Sequence, residues 1–341
     1  MRIYLTGISG VLGLQMALRW RDRHELFGCY QHHEIHIPKV HTAAVDLAGD
    51  YDTVLRQVRR DNILHAIIHC AGLANVDACQ QHPEAAYRDN VMATWNVARA
   101  ACSRGTPLIY ISTDHLSDGS AAWTSETDPV SPRNLYAWTK WTGERIVQLF
   151  CPDALIVRTN FFGWGTPVKQ TFSDWIVTTL RHGQPLPLCT DCYFTPIHVL
   201  QLIDLLESMI RLRLSGIWNV AGRERLSKYE FGIKLAQAAG LSTKTIRAIT
   251  MAQCDWHAPR PADMSLSTAK LTAALGVTMP TLEQSLDAWL KLGARDWSAT
   301  LARPFLSPWR ANRGRYLVER HPRDTVEKSA SLGGDDTPPP V

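Results

Sequence analysis

The sequence predicts an α/β fold: a doubly wound, mostly parallel sheet built by residues 1–163, with a smaller C-terminal lobe interleaved with it. Three observations predict it. Short β-type runs alternate with helical stretches through the first half of the chain. One run, residues 63–70, is apolar almost throughout, as a strand covered on both faces must be. A turn carrying three glycines, Gly7, Gly10 and Gly13, joins the first run to the first helical stretch.

The elements follow in order. Residues 2–6 read as a strand, 11–20 as a helix and 25–30 as a second strand. The buried strand 63–70 comes next, then a long helix over 84–101, a strand at 108–112, a helix over 136–150 and a strand at 155–157. Beyond residue 163 the alternation weakens. A core strand returns at 216–222, and helices are predicted over 227–239 and 265–275. This divides the chain into a core over 1–163, with returns near 193–222, and a lobe over 164–292. The remainder, 293–341, is a basic extension expected to be disordered from about residue 320.

With 45% hydrophobic and 20% charged residues, the chain has enough apolar material for a sizeable core. No apolar run has the roughly 18 residues of a membrane span. The first seven residues do not read as a signal peptide. The net charge of +4 is unevenly placed. Residues 303–323 hold six arginines and one acid, so the rest is close to neutral and has no nucleic-acid footprint. Eight scattered cysteines fit a reducing cytoplasm. Cys189 and Cys192 are spaced Cys-x-x-Cys, but no second pair or histidines at ligand spacing follow. They read as two ordinary thiols, with a metal or redox role as the alternative, and no metal is expected.

Gly7-Ile8-Ser9-Gly10-Val11-Leu12-Gly13 follows a strand and opens a helix. In that setting the glycines turn tightly, let backbone N–H groups approach a diphosphate and pack the helix on the sheet. The spacing is Gly-x-x-Gly-x-x-Gly, not the commoner Gly-x-Gly-x-x-Gly. An acid closing the second strand would favour NAD(H), but Tyr30-Gln31-His32-His33 stands there. NADP(H) is therefore the expected cofactor, with NAD(H) as the alternative. Arg19, His32 and Lys39 are the candidates to meet a 2′-phosphate. In Val45-Asp46-Leu47 the Asp46 carboxylate would accept from the adenine amino group or cap its own turn.

The candidate catalytic residues are Thr113, Tyr136 and Lys140. Thr113 closes a strand, where sites of open α/β sheets form. Only Tyr136 among the tyrosines has a lysine four positions later, which puts both on one helix face. An ammonium beside a phenol, together with an oxidised nicotinamide, favours the phenolate, drawing its pKa towards neutrality. Such a phenol can protonate a carbonyl oxygen as hydride reaches the carbon, while the Thr113 hydroxyl holds the oxygen.

Together with His69-Cys70-Ala71-Gly72, Asn90, Arg158-Thr159-Asn160 and Arg260-Pro261, these motifs resemble the extended short-chain dehydrogenase/reductases. More narrowly, residues 1–292 resemble the dTDP-4-dehydrorhamnose reductase family. The resemblance implies a Rossmann-type core and a substrate-binding lobe. It makes Thr113, Tyr136 and Lys140 a triad, brings Ala71 and Gly72 close to the cofactor, and gives Asn90 a supporting role. Asn160 would lie by the nicotinamide, and Asp114, His115 and Phe161 by the sugar. Arg260 would reach a substrate diphosphate or serve structurally. His115 stands where the family usually has tyrosine and the related dehydratases glutamate, which disfavours water elimination. The implied function is NAD(P)H-dependent reduction of a keto group on a nucleotide-linked deoxysugar. Epimerisation, dehydration, reduction of another carbonyl, and a non-catalytic regulatory subunit are the alternatives. The expected partner is a nucleotide sugar, with no nucleic acid and no membrane, and a homodimer is the assembly allowed.

Overall fold

In the computed structural model, residues 1–58, 63–291, 300 and 303–305 are described. The expectations for the basic extension fall almost wholly outside them. Seven parallel strands form the central sheet: β1 (Arg2–Thr6), β2 (Glu25–Tyr30), β3 (Val40–Ala44), β4 (Ala66–His69), β5 (Leu108–Ile111), β6 (Leu155–Thr159) and, much later, β11 (Gly216–Val220). Their spatial order is β11-β6-β5-β4-β1-β2-β3. The order reverses at β1, so β1 and β4 flank the switch point, where ligands of doubly wound sheets bind.

Side chains alternate between two cores, as strand geometry requires. Ile3, Leu5, Ile68, Ile109 and Val157 face one side, where they meet α1 (Val11–Trp20) and α8 (Val199–Arg211). Tyr4, Ile67, Tyr110 and Ile156 face the other, against α2 (Tyr51–Val58), α5 (Ala93–Arg104) and α6 (Leu135–Phe150). α3 (Val76–Gln81) and α4 (Pro83–Ala86) lead into α5 through a π-helical turn, Tyr87–Met92.

The later part of the chain is built of small pieces. β7 (Phe161–Phe162) pairs with β10 (Ile197–His198), β9 (Tyr193–Phe194) with β12 (Leu226–Ser227), and β8 (Leu186–Cys189) with β13 (Ile246–Ile249). Helices α7 (Phe172–Arg181), α9 (Lys228–Ala238), α10 (Ala269–Leu275) and α11 (Leu282–Lys291) complete it. Ser227 and Glu230 cap α9 reciprocally. Trp164 stacks on Trp289 at 4.4 Å and ties α11 to the loop after β7. The described residues fall within one compact unit.

Several boundaries differ from expectation for local reasons. β3 has no apolar run because it is the sheet edge, and its residues are half-buried or exposed. The strand predicted over 63–70 begins only at Ala66, where pairing with Ile3 starts, and Ile63 lies exposed. The helix predicted over 265–275 begins at Ala269, because Leu266 bridges Thr124 in extended form.

The joint between α6 and the sheet is ionic. Glu144 and Arg158 are both buried, and the Arg158 Nε and a terminal nitrogen donate to the two Glu144 oxygens at 3.0 and 2.8 Å. The Ser112 hydroxyl donates to Glu144 at 2.6 Å. Removing the carboxylate strands a guanidinium out of water. Glu144→Ala is therefore expected to lose about 3–5 kcal/mol of stability in urea unfolding, and Glu144→Gln, which also removes the charge, to lose a comparable amount.

Candidate active site

A crevice of about 640 Å³ runs over the switch point, from the glycine turn to α6. At one end, Gly7 has a φ of +64°, and a Cβ there would stand 2.8 Å from the Ala71 backbone. A Cβ on Gly13 would press on the Gly7 carbonyl at 2.5 Å. Glycine is thus required twice, once for the turn and once for helix-to-strand approach. No side chain caps α1 at Gly10, so its first N–H groups are free to serve an anion. Ser9, Val11 and Leu12 line the same wall.

The floor is a hydrogen-bonded relay. Cys70 and Ala71 N–H groups both donate to the Thr6 hydroxyl oxygen at 3.1 Å, which leaves the Thr6 proton for His69 Nδ1 at 2.7 Å. His69 Nε2 then meets Thr94 at 3.1 Å, and Thr94 donates to the Asn90 carbonyl at 2.5 Å. Burial holds His69 neutral, with its pKa down to about 3. Asn90 sits on the π-turn, a device common at functional sites. Its side chain accepts from Leu73 N–H at 2.7 Å and donates to the Leu73 carbonyl at 3.0 Å and to Thr139 at 2.9 Å. It therefore clamps the Gly72–Leu73 segment to α6. The sequence had read residues 84–101 as one regular helix; the π-turn breaks that period.

At the other end, the Asn134 side chain caps α6 by accepting from Ala137 N–H at 2.9 Å. Tyr136 and Lys140 then project from one face. Thr113 follows β5 and presents its hydroxyl to the Tyr136 phenol. The His115 ring stands edge-on to Tyr136 at 5.7 Å. Lys140 is buried, its ammonium 4.1 Å from the Tyr110 ring centre. Burial draws its pKa down to about 8, against the opposing pull of Glu144. Burial pushes the Tyr136 phenol up, against the lowering by the Thr113 hydroxyl. A phenol kept protonated suits a proton donor.

Asp114 is buried and held from two sides. It accepts from Asn160 at 2.7 Å and from the Thr113 hydroxyl at 3.2 Å. Asn160 thus positions Asp114 as well as lining the crevice. Burial takes His115 down to about 4, so its imidazole is neutral, and its Nδ1 is buried without a protein partner. Phe161 closes this end.

Of the residues offered in the sequence for cofactor or substrate, Arg260, Arg19 and Lys39 do not line the crevice. The Arg260 guanidinium grips Asp77 with two bonds of 2.8 Å and the Ala258 carbonyl at 2.6 Å. Arg19 and Lys39, offered for a 2′-phosphate, are taken by Asp204 and Asp22. His32 lines the crevice with Gln31, Asp46 and Leu47. Asp46 both caps its own turn, accepting from Ala48 N–H at 3.0 Å, and pairs with Arg88. Arg88, which pairs with the crevice-lining Asp46, and the crevice-lining Val168–Phe172 stretch were missed: the first sits where helical period fails, the second in a motif-free loop leading into α7.

Comparison with known proteins gives these features a family. The family model described as the RmlD substrate binding domain matches residues 1–294. A probable low-salt glycan biosynthesis reductase of Haloferax volcanii, Agl14, is 30% identical over 313 residues, covering 88% of this chain and all of the relative. The methionine adenosyltransferase 2 subunit beta of Danio rerio is 28% identical over 279 residues, 79% of this chain and 84% of that protein. In structure, a dTDP-4-dehydrorhamnose reductase of Bacillus anthracis, crystallised with NADP, superposes with a TM-score of 0.76. At 23% identity, it covers 85% of this chain and 98% of that one, and it shows the shared fold. With the family match running through sheet, crevice and lobe alike, this chain belongs to the RmlD substrate-binding-domain family.

Proposed function

We propose that this chain is an NAD(P)H-dependent reductase of a keto group on a nucleotide-linked deoxysugar. The observation that carries the reading is a convergence: a hydroxyl (Thr113), a phenol (Tyr136) and an ammonium (Lys140) line the same crevice as the glycine turn. The uncapped first turn of α1 suits a diphosphate, and Gly7, Gly10, Gly13, Ala71 and Gly72 let a dinucleotide approach the backbone. When bound, a reduced nicotinamide supplies hydride to the carbonyl carbon. Tyr136 gives its proton to the developing alkoxide, Thr113 donates a hydrogen bond to the same oxygen, and the Lys140 ammonium is the nearby positive charge that favours the phenolate left behind. Asp114, His115 and Phe161 would meet the sugar, with Asp114 aimed by Asn160. The names of the Haloferax and Bacillus proteins support reduction and NADP.

For the dinucleotide, β2 ends without an acid, and Gln31 faces the Arg88 guanidinium once its amide is turned, at 3.1 and 3.2 Å. Arg88, which pairs with the crevice-lining Asp46, is the cation assigned to a 2′-phosphate, so the reading favours NADP(H), with NAD(H) as the secondary cofactor. Residues 164–291 supply the substrate-binding lobe. Trp95, Trp138 and Leu149 are exposed on α5 and α6, and would be covered in a homodimer. We place the enzyme in the cytoplasm, where its eight free thiols would persist.

A second reading comes from the methionine adenosyltransferase relatives, whose name is that of a subunit. It predicts a stable partner and no turnover. Dehydration is disfavoured by a neutral His115 in the acid position.

Tyr136→Phe should lower kcat/KM for NADPH-dependent reduction of a dTDP-4-keto-6-deoxyhexose by about three orders of magnitude while leaving NADPH binding intact. A loss of only a few-fold would sink the proton-donor role. The rate should fall as pH rises through about 8, where the Lys140 ammonium is lost, and should be flat there in Lys140→Met. Arg88→Ala should weaken NADPH about tenfold in fluorescence titration and leave NADH nearly unchanged. Equal losses for both would remove Arg88 from 2′-phosphate recognition.

A further inference from the structure

Three cysteines of the later part of the chain come together away from the crevice floor. Cys189 ends β8 and is buried, Cys192 is buried three residues on, and Cys254 follows the short turn Met251–Gln253 and is half-buried. With Met264 they form a small cluster of their own. Among the described residues no group of three or more His, Cys, Asp or Glu is arranged to hold a metal. The sulfurs of Cys189 and Cys254 lie 2.9 Å apart, although 65 positions separate them in sequence. Cys192, the other half of the Cys-x-x-Cys motif, faces elsewhere, its thiol pointing to the Pro261 carbonyl at 4.0 Å.

The approach is held by the backbone on both sides. Cys189 is in register with Ile249 across the β8–β13 pair. Thr190 N–H donates to the Ile249 carbonyl at 2.9 Å, and Met251 N–H donates to the Asp191 carboxylate at 2.8 Å. Cys254 N–H closes the turn onto the Met251 carbonyl at 3.1 Å. An S–S bond of about 2.05 Å needs the sulfurs to move by less than about 1 Å, within side-chain rotation.

We propose that Cys189 and Cys254 are a reversible disulfide site, and that the natural partner of Cys189 is Cys254 rather than Cys192. A peroxide is the oxidant class that fits the exposure. The Cys254 sulfur, reachable from solvent, is oxidised to a sulfenic acid while the peroxide O–O bond breaks and water leaves. The Cys189 sulfur then attacks the sulfenic sulfur, the S–S bond forms, and the oxygen departs as a second water carrying the thiol proton. Two electrons pass from the two sulfurs to the peroxide. A dithiol restores both thiols by exchange. Cys189 is unreactive alone, since burial raises its pKa, so Cys254 acts first.

The bond would lock the segment that follows β8. The segment between Cys189 and β9 leads to Phe194, whose ring lies 3.3 Å beneath the Lys228 ammonium, and Lys228 and Cys192 both feel the Asp114 charge. The inference stands on thiol geometry and holds whether or not the chain is a reductase.

The test oxidises the folded full-length chain with hydrogen peroxide, quenches it, and alkylates under denaturing conditions before peptide mass mapping. Expected are two fewer alkylated cysteines than the eight present, and one linked peptide pair joining Cys189 to Cys254. Dithiothreitol should restore all eight. Cys192→Ser should keep the link and Cys254→Ser should abolish it. A Cys189–Cys192 link, or Cys254 oxidised further while Cys189 remains alkylatable, would overturn the assignment. Because the decisive map is made on the unaltered chain, a variant that fails to fold does not blunt it.

Discussion

One row of side chains on α6 governs the site. Tyr136, Lys140 and Glu144 follow at four-residue intervals and so lie along one side of the helix. Glu144 is fixed to Arg158 on β6 and to Ser112 just beyond β5. That anchorage sets the rotation of α6 about its axis, and with it where the phenol and the ammonium emerge. Gly143 allows the approach, because any Cβ there would run into the Tyr110 hydroxyl. The catalytic geometry is thus a consequence of how one helix is seated, before any ligand is considered.

Dryness is the second theme. His69, His115, Lys140 and Tyr136 are all shifted by burial first and by neighbouring charges second. Each shift favours the neutral form. A site of neutral donors around the weakened ammoniums of Lys140 and Lys169 gives little away to water. It also makes a proton delivered from Tyr136 worth more than it would be at an exposed surface. Arg260, by contrast, is saturated by Asp77 and adds charge without reaching in.

Much of this was legible in the residues. The alternation of runs gave the sheet, and the glycine turn and the Tyr136–Lys140 interval marked the two ends of the crevice before any fold was known. The edge strand β3 was not legible, since half-exposed strands carry little apolar signal. Arg88 was missed because its direction depends on a π-turn, which no residue preference announces. The Cys189–Cys254 approach was hidden for a different reason. The nearby Cys192 offered a motif, while the true neighbour lay 65 positions on, brought in by strand register.

The π-turn has a further consequence. Tyr87–Met92 holds one residue more per turn than the helix around it, so α4 and α5 are wound out of phase. That surplus residue aims Asn90 inward at the Gly72 loop and leaves Arg88 beside Asp46. A single-codon deletion here would restore a smooth helix and swing both side chains away together. The Asn90 clamp and the Arg88–Asp46 pair are therefore inherited as one unit, and neither can be retuned by an insertion or loss in this helix without disturbing the other.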